Sequence, residues 1–75
     1  MIELIEELKN VIEQAKNYDG KYKDSFYFRG QLSNAISIIN FWENPPKGKN
    51  FYATYNEKEI DRTIYHLQNS MINPF

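Results

Sequence analysis

Apolar residues recur every three or four positions in three separate stretches of this chain, a pattern typical of amphipathic helices. The stretches lie near residues 2–18, 25–44 and 56–72. Polar residues occupy the opposite side of the first and third stretches. The sequence therefore predicts an all-α domain of three helices, whose short connections make neighbouring helices antiparallel.

The second stretch differs from the other two because it is apolar on more than one face. Placed at 100° per residue, one set of apolar residues shares a sector. This main stripe consists of Phe28, Leu32, Ala35, Ile36, Ile39 and Trp42. A second stripe, made of Tyr27, Ile38 and Phe41, lies to one side of it. We predict that the main stripe faces the core. The second stripe is predicted to lie outside the core and to need cover from another segment or a partner.

Residues typical of helix ends separate the three stretches. The run NPP at 44–46 ends the second helix, because proline lacks an amide donor and restricts the residue before it. Thr54 with Glu57 and Asn56 with Glu59 both have the spacing of a capping box at the start of the third helix, and Asn73-Pro74 ends that helix. Gly20 is predicted to close the first helix in the left-handed conformation.

Two aromatic segments leave a second architecture open. Residues 25–29, SFYFR, and 51–55, FYATY, have strand propensity and are long enough to pair. They would form a two-stranded sheet in an α+β fold. In the helical alternative, the second helix begins within residues 25–29 or only at Gln31. FYATY then folds back as an aromatic lid over the second stripe.

Length and composition limit what the chain can be. Seventy-five residues make a single domain with a small core, and the absence of cysteine leaves packing or association to stabilise it. A reducing compartment, and hence a cytoplasmic location, is expected. The Glu-rich start does not resemble a signal peptide, and no apolar run is long enough to form a membrane-spanning helix, so no association with a membrane is expected. Abundant Asn, Ile, Lys and Tyr suit an AT-rich bacterial or viral genome.

The chain has few residues that could carry catalysis. It contains one histidine and no cysteine, and its three glycines stand apart, so a catalytic triad, a metal site and a phosphate-binding loop are not expected. His66 is predicted to be a solvated surface residue without partners. We therefore expect no enzyme activity, no metal and no other cofactor.

The tetrad Phe28-Arg29-Gly30-Gln31 resembles the opening of the FRG domain family, which is named for the Phe-Arg-Gly tripeptide. The likeness covers four of 75 residues, and neither a fold nor functional residues are inferred from it.

Aromatic residues make up 16% of the chain, more than a core of this size can hide. Besides the second stripe, Tyr65 and Ile72 point away from the core side of the last helix. The surface predicted to bind a partner therefore consists of Tyr27, Ile38, Phe41, Tyr65 and Ile72. The function predicted is that of a small non-enzymatic regulator, inhibitor or immunity-type antagonist, acting on a protein partner or pairing with a second copy of the chain.

A nucleic-acid-binding module is the alternative function. The middle of the chain is locally basic although the formal net charge is −1, and aromatic residues are interleaved with its cations. Cations can hold phosphates while aromatic rings stack on bases. The residues concerned are Lys21, Lys23, Arg29, Lys47, Lys49, Tyr22 and Tyr52.

Overall fold

The structure is a computed structural model that describes residues 1–73, and within them it contains helices and no strand. The helices are α1 (Ile2–Lys16), α2 (Phe26–Glu43), the single turn α3 (Phe51–Thr54) and α4 (Glu57–Ile72). The predicted all-α class is confirmed. The two-stranded alternative is wrong, because residues 25–29 form the start of α2 and residues 51–55 form α3 and its end.

Asparagine and serine side chains begin three of the four helices. The Ser25 hydroxyl accepts a hydrogen bond from the amide of Phe28, and the Asn56 side chain accepts one from the amide of Glu59 at 2.9 Å. Asn50 likewise accepts from the amide of Tyr52 at 2.8 Å, which makes FYATY a helical turn rather than a strand. Pro74, predicted to follow the last helix, lies outside the described residues.

The end of α1 differs from the prediction. The helix stops at Lys16, and the Asn17 side-chain amide donates to the carbonyl of Glu13 at 3.0 Å. Gly20 is not in the left-handed conformation. Its lack of a side chain instead leaves room for the Tyr18 ring, which a methyl group at this position would overlap.

The three long helices pack against one another as a bundle. α1 and α4 run parallel, since the amino group of Met1 lies 3.9 Å from the carboxylate of Glu57 at the start of α4. α2 runs antiparallel to both helices. Near its beginning Phe28 packs on Tyr18, with ring centroids 5.1 Å apart.

The buried apolar side chains come from all four helices. They are Ile5, Leu8, Val11, Ile12, Ala15, Phe28, Ala35, Ile38, Ile39, Phe51, Ile60, Ile64 and Leu67. Two expectations for α2 are corrected by this core. Ile38, predicted to be surplus, is only 2% exposed, whereas Ile36, predicted to be central, is half-buried at the core's edge. The reason is that α4 lies along the flank of α2 that carries Ile38.

Aromatic rings close the end of the bundle where α2 stops. Phe51 is buried, and its ring lies 4.9 Å from Trp42 and 6.2 Å from Phe41, measured between centroids. Tyr55 adds an edge contact to Phe41 at 5.5 Å. FYATY therefore folds back on α2 as predicted, but its rings contact Phe41 of the second stripe together with Trp42 of the main stripe, rather than the second stripe alone.

Candidate functional site

The outer face of α4 carries two large apolar side chains that the bundle does not cover. Tyr65 is 63% exposed and Ile72 is 75% exposed. They are seven residues apart, which places them two turns apart on the same face of the helix. The core face of α4, formed around Ile60, Ile64 and Leu67, is already buried. Tyr65 and Ile72 thus point away from the core, as the sequence predicts; their role in binding stays a prediction.

Tyr27 joins this surface through a histidine. A hydrogen bond of 2.7 Å connects the Tyr27 hydroxyl to His66 Nδ1, between α2 and α4. The His66 ring also meets the Tyr65 ring edge to face, with centroids 5.6 Å apart. The expectation of an exposed His66 without partners was therefore wrong. Tyr27 and His66 are half-buried, and they form a margin beside the exposed Tyr65 on the outer face of α4.

The other two residues of the predicted partner surface lie elsewhere. Ile38 belongs to the core and cannot reach a partner in the folded chain. Phe41 is half-buried, because the rings of Phe51 and Tyr55 pack against it. Both residues lie on the flank of α2 that α3 and α4 cover. Of the five predicted partner-binding residues, the structure brings together Tyr27, Tyr65 and Ile72.

The seven residues of the nucleic-acid alternative do not form one surface. Lys21, Tyr22 and Lys23 precede α2, while Lys47, Lys49 and Tyr52 follow it. The 18 residues of α2 lie between these groups, a distance of about 27 Å along a helix. Arg29 is exposed on α2 itself. The interleaving of cations and aromatics in the sequence therefore does not become one basic platform.

The first of these basic groups is also partly occupied by contacts within the chain. The Lys23 ammonium pairs with the Asp19 carboxylate at 3.2 Å. The Lys21 ammonium lies 5.6 Å from the centre of the Tyr22 ring. Such exposed contacts are weak. The Asp19 carboxylate nevertheless lowers the net positive charge that phosphates would meet at this end.

The second basic group borders a cleft of about 350 Å³ at the end of α2. Lys49 and Tyr52 line this cleft together with Trp42, Pro45, Asn50 and Phe51. The Trp42 and Tyr52 rings meet edge to face, with centroids 6.0 Å apart. Two partly exposed rings beside a lysine form a small site at which a planar group could stack.

Sequence reasoning missed Phe26, the most exposed large apolar residue in the described part of the chain. It is the first residue of α2 and is 92% exposed, outside both apolar stripes. The sequence does contain a signal for this exposure. At 100° per residue, Phe26 lies on the same side of the helix as Gly30, Ser33 and Ser37, which the sequence pattern predicts to face water.

Among residues 1–73, no three His, Cys, Asp or Glu side chains cluster in a way that could hold a metal ion. Every buried side-chain nitrogen and oxygen in the same range has a hydrogen-bond partner. In the described part of the chain, no helix has the length and apolarity needed to cross a membrane.

Comparison with family models, curated proteins and solved structures found no match.

Proposed function

We propose that this chain is a small non-enzymatic protein that acts by binding another protein, as a regulator, inhibitor or immunity-type antagonist. The observation that carries the proposal is the exposure of Tyr65 and Ile72 on a helix whose core face is already filled. Protein interfaces favour aromatic residues, and exposed apolar side chains aligned on one face are suited to an interface. The absence of cysteine suits action in a reducing compartment such as the cytoplasm.

The Tyr27–His66 hydrogen bond adds to the suitability of this surface. It holds the two rings together across α2 and α4, and His66 in turn contacts Tyr65. A side chain that is already held in place loses less conformational entropy when a partner binds. We therefore expect Tyr65 to be the anchor of the interface, with Tyr27 and His66 as its rigid margin.

Affinity capture tests the proposal. The purified chain is immobilised and exposed to lysate of the source organism, with and without nuclease. A protein partner should remain bound after nuclease treatment. Tyr65→Ala should weaken its capture about tenfold or more, because truncation of an aromatic anchor costs ~2 kcal/mol or more.

Tyr52→Ala is the matched control, because Tyr52 is also an exposed tyrosine but lies at the opposite end of the bundle. It should leave capture of the partner unchanged. Equal capture by the Tyr65→Ala variant and the unmodified chain, with both folded, would show that the outer face of α4 is not the binding surface.

The second candidate is a nucleic-acid-binding function confined to the cleft of Trp42, Lys49 and Tyr52. The specific observation in its favour is that a lysine and two aromatic rings line the same cleft. Binding of a single-stranded oligonucleotide should weaken steeply as salt rises, since phosphate contacts release counterions. In that case Tyr52→Ala, and not Tyr65→Ala, would abolish binding.

A further inference from the structure

The outer face of α2 is uncharged, unlike the outer faces of α1 and α4. Residues 30–42 contain no Asp, Glu, Lys or Arg, although charged residues make up 25% of the chain. α1 and α4 both carry several charged residues on their exposed sides. Depletion of charge is what distinguishes the centre of a protein interface from ordinary surface. The outer face of α2 is therefore unusual for a face exposed only to water.

This face has a projecting side chain at one end and a cleft at the other. Phe26 projects from the first turn of α2 and is 92% exposed. A cleft of about 330 Å³ lies at the other end of the helix. Its lining residues are Ser37, Asn40, Phe41, Asn44 and Pro46. Gly30, Ser33 and Ser37, which have no side chain or a small one, lie between the two features. A methyl group at Gly30 would meet nothing within 4 Å.

The same helix carries opposite charges at its two ends. Arg29 and Glu43 lie seven residues before and after Ile36, and an interval of seven keeps all three on one flank. Arg29 is exposed and forms no ion pair within residues 1–73. Glu43 is half-exposed and contacts the Lys9 ammonium at 3.7 Å. A second cation can still reach its carboxylate, which accepts several hydrogen bonds.

We propose that the outer face of α2 binds the same face of a second copy of this chain, with the two helices antiparallel. A two-fold axis near Ile36 places Arg29 of each copy beside Glu43 of the other. The same axis places Phe26 of each copy over the cleft formed by Phe41, Asn44 and Pro46 of the other. In an isologous interface each such contact occurs twice, so both complementary pairs support the same arrangement.

The choice of a second copy as the partner follows from this symmetry. A two-fold axis brings every residue near it next to its own counterpart, so charges there would repel one another. The axis of the proposed pair lies beside residues 33–39, which are uncharged. The charges of α2 lie near its two ends, where Arg29 of one copy meets Glu43 of the other. One helix face is a small interface, and we expect a dissociation constant of roughly 10 to 100 μM.

Sedimentation equilibrium between about 5 and 500 μM protein tests the proposal. The unmodified chain should pass from monomer to dimer within this range. Phe26→Ala should weaken the dimer about tenfold or more, because it removes both projecting rings. Tyr65→Ala is the control: it removes an exposed ring on α4 and should leave self-association unchanged. A chain that stays monomeric throughout the range would overturn the proposal.

A charge introduced next to the axis gives an independent test. Ser37→Glu should weaken the dimer at least about tenfold, because two like charges meet in an uncharged interface. Gln68→Glu introduces the same charge on an exposed position of α4 and should have no effect. Both positions are exposed, so circular dichroism should show unchanged helix content. A dimer that survives Ser37→Glu would place the interface elsewhere and overturn the proposal.

Exchange of the two terminal charges tests the antiparallel register. Arg29→Glu and Glu43→Arg should each weaken the dimer by about fivefold, since each change places like charges together at both ends. The double variant should restore most of the affinity. If the double variant instead loses as much affinity as the two single variants combined, the antiparallel register is wrong.

These experiments are independent of the proposed function. Tyr65→Ala should impair capture of a different protein and spare the dimer, whereas Phe26→Ala should do the reverse. Either proposal can therefore fail while the other stands.

Discussion

The two flanks of α2 have different surroundings. On one flank, Ile38 is buried and Phe41 is covered by the rings of Phe51 and Tyr55. On the other flank, Leu32 and Ile36 stay half-buried beside a cleft of about 300 Å³ that residues of α2 alone line. Both flanks carry large apolar side chains in sequence. The difference shows that the position of α3 and α4, and not apolarity by itself, decides which side chains are removed from water.

The largest expected effect concerns the two isoleucines on these flanks. Ile38→Ala should lower the free energy of unfolding by about 3 kcal/mol, because it leaves a cavity in the core. Ile36→Ala should lower it by about 1 kcal/mol, because a half-buried side chain loses less burial. Urea unfolding followed by circular dichroism measures both values. Equal losses would mean that α2 is rotated relative to this description.

A smaller effect is expected at the aromatic end, where α3 covers one flank. Phe51→Ala should lower the free energy of unfolding by about 2 kcal/mol, less than for a residue of a long helix, since a single turn can open locally. The fluorescence of Trp42, the only tryptophan, should shift to longer wavelength as its neighbour disappears. Tyr65→Ala serves as control, because this exposed tyrosine lies on α4 and its ring packs on His66 rather than on Trp42. An unchanged Trp42 spectrum in Phe51→Ala would contradict the packing of α3 on α2.

The smallest expected effects have opposite signs at two glycines. Gly30→Ala should raise the free energy of unfolding of the monomer by about 0.5 to 1 kcal/mol, because it improves helix propensity at a position with open space. Gly20→Ala should lower it by about 1 kcal/mol, because the Tyr18 ring must leave its contact with Phe28. Thermal unfolding at low protein concentration measures both. A gain at Gly20 would show that the Tyr18 ring moves aside freely.

Local chemistry made much of the fold predictable. The apolar spacing of the three long helices and the Asn56 cap are properties of short stretches, and the structure contains them. The choice between strand and helix for FYATY depended on whether residues 25–29 could supply a partner strand. They could not, because Ser25 caps a helix there.

The candidate site was less predictable, because it depends on contacts distant in sequence. Tyr27 and His66 are 39 residues apart, and their hydrogen bond exists only because α2 and α4 lie side by side. The burial of Ile38 has the same cause. Conversely, basic residues that are close in sequence become distant in space, because α2 stands between them.

The parallel arrangement of α1 and α4 has a consequence for how the chain reaches its native state. Met1 and Glu57 are close in space but far apart in sequence. The contacts between α1 and α4 therefore close a long loop of the chain. During synthesis, α1 and α2 leave the ribosome well before α4 and can form a helical hairpin by themselves. Until α4 arrives, the side chains of Leu8 and Ile38 lack part of their cover. The nascent hairpin thus exposes apolar surface that can aggregate or bind chaperones.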